Sequence, residues 1–326
     1  MNEYKVSIIV GVYNSAKFLR KGLDSIVNQT WTNIEVLLMD DGSTDESGQI
    51  CDEYANKDKR FIAVHKKNSG VCDSRNKGLE LATGDYVCFM DGDDWLCVDF
   101  VEYMMSLIIS TNTKMALSDK VFTSYDQIQS VNKDIEIWNS EKTISLIIYP
   151  YMALGPWNKI YSMEIIRKYK IKFPERWFGE TLHFATMVAL YAEHIGVGHR
   201  KVYNYRLDNL NSGTTQYNIE GRLISIENCT KLRTMPFYNT STIINAVEWH
   251  IFNNHYLLIE NIIGSKGKRK YLTEYKTSRR YLWKNGLRVF FHSDVTFKQK
   301  IKILIQMFVP NIFAKTEIRK RENLRK

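Results

Sequence analysis

The chain has 326 residues, 44% of them hydrophobic and 25% charged, an ordinary globular composition with room for one large domain or two smaller ones. Only five prolines and no low-complexity run argue against long disordered segments, and five scattered cysteines (Cys51, Cys72, Cys88, Cys97 and Cys229) with no C-x-x-C pair argue against a disulfide framework or a structural zinc site. Much of the net charge of +9 sits late, in SKGKRK (265–270) and EIRKRENLRK (317–326), which suits either an anionic partner or a solvated face.

The opening MNEYKVSIIVGVYN holds an apolar run too short for a signal-peptide core, and no stretch reaches the ~18 consecutive apolar residues of a membrane span. Together with the cysteine usage this predicts a cytoplasmic protein. KVSIIVGV (5–12) reads as a buried strand. SAKFLRKGLDSIVNQ (15–29) places Phe18, Leu19, Leu23, Ile26 and Val27 at helical spacing, with Ser15 as the expected N-cap. IEVLLMD (34–40) is a second strand, and STDESGQICDEYA (43–55) opens like a helix with acids in its first turn. FIAVHK (61–66), VCDSRNKGLELA (71–82), GDYVCFMD (84–91) and VDFVEYMMSLIIS (98–110) continue the alternation as strand, helix, strand and helix.

Strand followed by helix, repeated, predicts an α/β fold: a Rossmann-like, mostly parallel sheet with helices on both faces. Such sheets bind ligands beyond the carboxyl ends of their strands. The polar loops fall at those ends: Tyr13-Asn14, DDGSTD (40–45), KKNSG (66–70) and DGDD (91–94). From 111 to 205 the pattern is less regular, with KMALSDKVF (114–122) as a strand and GETLHFATMVALYAEH (179–194) as a helix. Beyond Arg206 the chain reads as mainly helical. A soft boundary near 206–220 separates a first domain, 1–210, from a C-terminal region, 211–326.

In MDGDDW a cluster of aspartates ends a buried strand. Carboxylates spaced two apart can present oxygens to one divalent cation that also holds a diphosphate, and all-oxygen ligands suit Mg²⁺ or Mn²⁺. An Asp/Gly turn that caps the next helix is the alternative. Asp41, at another strand end on the same rim, can accept an N–H from a base edge. Arg75 can pair with base or phosphate through its planar fork, or form a surface ion pair.

SIIVGVYN, LLMDDGSTD, SGVCDSRNKGL and GDYVCFMDGDDW follow, in order and spacing, the signature of family 2 glycosyltransferases with a GT-A fold, of the bacterial surface-polysaccharide type. The resemblance is strong over about residues 4–110 and continues weakly through GPWNKIYSMEII, FGETLHF and YNYRLDNLNSGTT. It implies that Val12, Tyr13 and Asn14 border a nucleotide, that Asp41 contacts the base, usually uracil, and that Arg75 lies beside the nucleotide. It implies that Asp91 touches ribose or donor sugar, that Asp93, with Asp91 in the D-x-D, holds the metal on the diphosphate, and that Asp94 caps or orients the loop. Gly11 replaces the proline usual in the family.

The family's G-E-D-x-x-F run matches Gly179, Glu180, Thr181, Leu182, His183 and Phe184, so a threonine stands where the general-base aspartate is expected. Three readings follow: Glu180 serves as the base from the adjacent position, His183 serves one turn along, or the site is impaired. Glu180 is the favoured assignment, after an adjustment of the helix start, since adjacent helix residues point about 100° apart. The implied reaction is a single inverting displacement from a UDP-sugar to a saccharide or lipid-linked saccharide acceptor. No nucleic-acid motif accompanies the basic charge, and rim carboxylates would repel phosphate backbones.

Near the C-terminus, TFKQKIKILIQMFVP (296–310) places Phe297, Ile301, Leu304, Ile305 and Phe308 in one apolar stripe flanked by Lys298, Lys300 and Lys302. Such a helix can either lie in a membrane interface, at the inner face of the plasma membrane, or pack on the protein's own helices.

Overall fold

The computed structural model describes residues 4–149, 151–175, 180–209 and 217–324, with the side chains of Glu180, Asn323 and Leu324 outside the description. The chain divides into two compact units, Met1–Asn209 and Leu210–Lys326.

The first unit opens with β1 (Val6–Val12), α1 (Ala16–Val27), β2 (Ile34–Asp40), α2 (Ser47–Lys57), β3 (Phe61–His65), α3 (Val71–Leu81) and β4 (Tyr86–Asp91). The mostly apolar character of β1 and β2 is explained by burial on both faces, as helix-covered parallel strands require. Next come β5 (Trp95–Leu96), α4 (Phe100–Thr111), β6 (Met115–Ser118), β7 (Phe122–Thr123), β8 (Ile135–Asn139), α5 (Ser140–Ile148), β9 (Lys159–Ser162), α6 (Met163–Lys168), α7 (Glu180–Ala192), β10 (His194–Gly198) and β11 (Tyr203–Tyr205).

The main sheet has eight strands in the order β3-β2-β1-β4-β9-β6-β10-β8. β3, β2, β1 and β4 are mutually parallel, and β9 and β8 run antiparallel to their neighbours. Chain order runs outward from β1 to β3 on one side and resumes with β4 on the other. The β1–β4 boundary is therefore the topological switch point of the sheet, the place where such sheets bind ligands. A small second sheet, β5-β11-β7, sits beyond the end of β4.

Several local expectations need correction. Ser15 stands at the N-cap position of α1, but its side chain makes no cap bond. Its place is taken from a distance, as Asp45 accepts from the Ala16 N–H at 3.1 Å. The helix expected from residue 43 begins at Ser47, so Asp45 and Glu46 precede its first turn. KMALSDKVF is not one strand: it splits into β6 and β7, which belong to different sheets.

In the second unit the described residues form α8 (Ile219–Lys231), a 3₁₀ turn (Leu232–Thr234), α9 (Ser241–Gly264), α10 (Leu272–His292), α11 (Phe297–Phe308) and α12 (Pro310–Leu324). α9 is buried on nearly every side because α8, α10 and α12 all pack on it. Arg233 grips Glu248 of α9 with two 2.7 Å bonds. The stripe expected on α11 is not the packed face. Ile303, Gln306 and Met307 turn inward, while Phe297, Ile301 and Phe308 are exposed. Among the described residues no helix is long and apolar enough to cross a membrane.

Candidate active site

The loops after β1, β2 and β3 are tied to one another by side chains of the rim itself. Asn14 adopts a left-handed backbone (φ 47°). Its N–H donates to Ser43 Oγ at 3.1 Å, and its Oδ1 accepts from the Thr44 N–H at 2.8 Å. Val12 is buried, whereas the Tyr13 ring is 53% exposed on the rim. Asp40 accepts from the Ser43 N–H at 3.0 Å and lies 2.8 Å from His65 Nδ1. Burial works to raise the Asp40 carboxyl, but the Ser43 and His65 bonds outweigh it and leave the group below its ordinary range.

Asp41 is buried and organises the loop after β3. Its Oδ1 accepts from the Ser69 N–H at 2.9 Å and from the Lys66 ammonium, and its Oδ2 from the Gly70 N–H at 2.8 Å. This loop-holding role of Asp41 was not visible in the sequence. Lys66 was missed as well; its signal would have been a lysine that leads a polar loop facing an Asp-Asp pair.

The three aspartates after β4 have different surroundings. Asp91 pairs with Arg75 of α3, Nη2 to Oδ1 at 3.0 Å. Arg75 is itself buried, with its guanidinium 5.4 Å from the centre of the Phe173 ring. Gly92 donates its N–H to Gly11 O at 2.9 Å, and a Cβ there would lie 2.9 Å from that oxygen and 2.8 Å from Ser15 Oγ. Only glycine lets the turn after β4 sit this close to β1.

Asp93 accepts from Asn209 Nδ2 at 2.8 Å, while Arg206 Nε donates to its backbone carbonyl at 2.6 Å. Burial, with the charge of Asp91 added, pushes the Asp93 carboxyl up. Asp94 is only 1% exposed and faces inward. It accepts from Tyr203 Oη at 2.7 Å and from the Arg206 N–H at 2.7 Å. Burial, then the charges of Asp91 and Asp93, hold its carboxyl well above the ordinary range. Asp94 thus anchors the turn, while Asp91 and Asp93 remain half-buried at the end of β4. Arg206 and Asn209, in YNYRLDN, were not singled out from sequence. The available signal was a cation and an amide placed directly after a short aromatic strand.

The carboxylates that burial and like charge push up are the ones a cation would relieve. Oxygen ligands on a short turn fit Mg²⁺ or Mn²⁺, which are commonly held by one or two carboxylates together with substrate phosphates. Among the described residues no group of three or more His, Cys, Asp or Glu side chains forms a ready-made cage.

α7 is brought to the same strand end by aromatic packing. Phe184 of α7 stacks on Phe173 at 4.1 Å between ring centres and meets Phe89 of β4 edge-on at 5.6 Å. Thr181 is buried in the first turn of α7. His183 is half-buried, and burial pushes its imidazole down. Glu180 opens α7, but its side chain and all of Gly179 lie outside the described residues.

Comparison with known proteins agrees with this layout. The family model described as "Glycosyl transferase family 2" matches residues 7–177, more than half of the chain. A putative glycosyltransferase, EpsH, of Bacillus subtilis is 32% identical over 211 residues, covering 62% of this chain and 60% of that protein. Glycosyltransferase GlyA of Streptococcus pneumoniae is 31% identical over 222 residues, covering 62% of this chain and 30% of that protein. The matched stretch thus spans between about a third and three-fifths of these curated relatives. Among solved structures, S. aureus TarS 1-349 covers 99% of this chain and 92% of its own at 21% identity, with a TM-score of 0.67. The same protein in complex with UDP-GlcNAc gives 0.65 at 20% identity, over 99% of this chain and 92% of that one. The mannosyltransferase PcManGT from Pyrobaculum calidifontis, in complex with GDP-Man and Mn²⁺, gives 0.57 at 14% identity, over 97% of this chain and 83% of that one. The mostly parallel eight-stranded sheet with its helices is that of a GT-A fold, and the chain belongs to glycosyl transferase family 2.

Proposed function

We propose that this chain transfers a sugar from a UDP-sugar to a saccharide or lipid-linked saccharide acceptor, with inversion, in surface polysaccharide synthesis at the cytoplasmic face of the plasma membrane. In this reading residues 1–210 bind the nucleotide sugar and carry the chemistry, and 211–326 meet the acceptor or the membrane surface. What supports it most directly is the end of β4: Asp91 and Asp93, half-buried at the β1–β4 switch point, with Arg75 3.0 Å from Asp91.

Val12, Tyr13 and Asn14 would border the nucleotide, with the exposed Tyr13 ring offering a face to it. Asp41 would sit at the base edge, held there by the loop after β3. Arg75 would lie beside the nucleotide, and Asp91 would touch ribose or donor sugar. Mn²⁺ or Mg²⁺, held through Asp93 and Asp91, would neutralise charge building on the departing diphosphate. The acceptor hydroxyl oxygen forms the new bond to the anomeric carbon as the bond to the diphosphate oxygen breaks. Glu180, at the start of α7, takes the hydroxyl proton.

A second reading, a GT-A protein that binds nucleotide sugar or glycan without efficient transfer, draws on Thr181, whose hydroxyl cannot act as a base near neutral pH. Turnover of a panel of UDP-sugars with Mn²⁺ and candidate acceptors separates the two. Under the first reading, Glu180→Gln slows transfer by ~10²–10⁴-fold and leaves donor binding intact, while Asp93→Ala lowers both. Nucleotide binding without wild-type turnover, across the acceptors tried, would establish the second.

A further inference from the structure

The second unit carries a surface that the transfer chemistry leaves unused. α10 and α11, joined by residues 293–296, fold back on each other as an antiparallel hairpin. Gly286 lies so close to Met307 that an added Cβ would meet its sulfur at 2.6 Å, and Trp283 meets Phe308 edge-on at 5.5 Å. The hairpin buries Leu282, Val289, Ile303 and Met307. Its other side presents Trp283, Leu287 and Phe291 at helical spacing on α10, and Phe297, Ile301 and Phe308 on α11. All six are between 43% and 76% exposed. Scattered single exposed apolar residues are ordinary, but a run of six large ones on two adjoining helices calls for an occupant.

Charge selects the occupant. Arg280, Lys284, Arg288, Lys298 and Lys302 are exposed on the same two helices. From 276 to 308 the chain carries eight Lys or Arg and one acid, Asp294. Residues 210–326 hold 21 Lys or Arg against 8 Asp or Glu, a net +13, so the remaining 209 residues are net −4 within the total of +9. Basic character is therefore a property of this unit and not of the donor-binding one. A second copy of the chain seated on this face would bring like charges together. An anionic lipid surface would accept the aromatic and aliphatic side chains at headgroup depth and pair with the surrounding cations.

We propose that the exposed face of the α10–α11 hairpin docks on an anionic lipid bilayer. The proposal names the surface behind the membrane-face part of the function proposed above and rests on it, but its readout is separate from donor turnover. The test is co-sedimentation of the full chain with phosphatidylcholine vesicles, with and without phosphatidylglycerol. Binding is expected only with the anionic lipid, weakened by salt. Lys298→Glu or Lys302→Glu should each weaken it by about five-fold or more. Phe291→Ser with Phe297→Ser should abolish it. Circular dichroism checks that the variants fold, so the outcome stands whether or not the donor reading does. Absence of binding to anionic vesicles, or binding untouched by the double substitution, would overturn the proposal. So would concentration-dependent self-association that the double substitution removes, since that assigns the face to a second copy of the chain.

Discussion

Tyr203, on the last strand of the first unit, donates its phenol to Asp94 at 2.7 Å inside the protein, across 109 residues of sequence. The same hydroxyl accepts from the Asp91 N–H at 3.3 Å, so one side chain fixes both ends of the carboxylate turn. Tyr203→Phe keeps the ring's stack on Trp157 at 4.6 Å but strips a donor from a buried carboxylate. The expected cost is roughly 1–3 kcal/mol in chemical denaturation. A loss of donor affinity should accompany it as the turn loosens, read by titration with UDP.

Arg75 bridges the Asp91 carboxylate and the Phe173 ring. Arg75→Ala removes the cation that offsets Asp91 and should weaken nucleotide binding at least ten-fold, about 1.4 kcal/mol. Arg75→Lys keeps the charge but not the planar stacking and should recover only part of the loss. Calorimetric titration of both variants distinguishes charge from shape. Equal affinity for Arg75→Ala and wild type would remove Arg75 from the donor site.

Thr181→Asp restores the family's carboxylate one residue after Glu180. With Glu180 as the working base, the change should raise transfer less than ten-fold, far below the ~10²–10⁴ that a general base supplies. A gain of that full size would instead show the native site to be impaired at Thr181. Initial rates of UDP release with acceptor present give the answer.

Glu35, near the start of β2, sets a pH dependence. Burial alone would push its carboxyl up, but bonds from Lys5, Ser7 and Thr83 overcome this and bring it down to about 2. The unfolded chain has the ordinary glutamate value, near 4.3. A carboxyl whose folded pKa is depressed contributes stability above the unfolded value and loses it as pH falls through the folded one. Stability should therefore decline between about pH 4.3 and 2. Glu35→Gln should be weaker than wild type by on the order of 2–3 kcal/mol at neutral pH, with the gap closing toward pH 2. Thermal melts of the pair across that range test the sign as well as the size.

Two neighbouring glycines should respond in opposite ways. A Cβ on Gly11 would meet nothing within 4 Å, so Gly11→Ala should stabilise by roughly 0.4–1 kcal/mol through the unfolded chain. Gly92→Ala would drive a methyl into Gly11 O and Ser15 Oγ, and should destabilise the turn and lower transfer together. Melting temperature and turnover measured on both variants check this.

β1, β2 and β4 were legible because burial on both faces makes them mostly apolar, and β3, only partly buried, was legible from its short apolar run FIAV. β9 was not. It is four residues long and begins with Lys159, a buried lysine whose ammonium donates to Ala153 O, Gly155 O and Asn158 Oδ1, so no run announces it. Its antiparallel place between β4 and β6 is fixed by pairing, not by local pattern. In the candidate site the clustering of Asp91, Asp93 and Asp94 was plain from sequence and the family resemblance set Asp94 apart as the residue that caps or orients the loop, but the partners that make it an anchor, Tyr203 and Arg206, lie more than a hundred residues away. Helical spacing on α11 showed which residues share a side, and could not show which side the neighbouring helix covers.

β2 carries an acid near each end, and the two meet opposite fates. Glu35 is sealed by donors from three residues, Lys5, Ser7 and Thr83, whereas Asp40, and Asp41 just after the strand, hold the loops of the far rim. Four residues of strand therefore separate Glu35 from Asp40, the bolt of the scaffold from the edge that holds the rim loops. Under the proposed function, substitutions at the Asp40–Asp41 end of the sheet should alter donor preference while the Glu35 foundation at the other end is left alone.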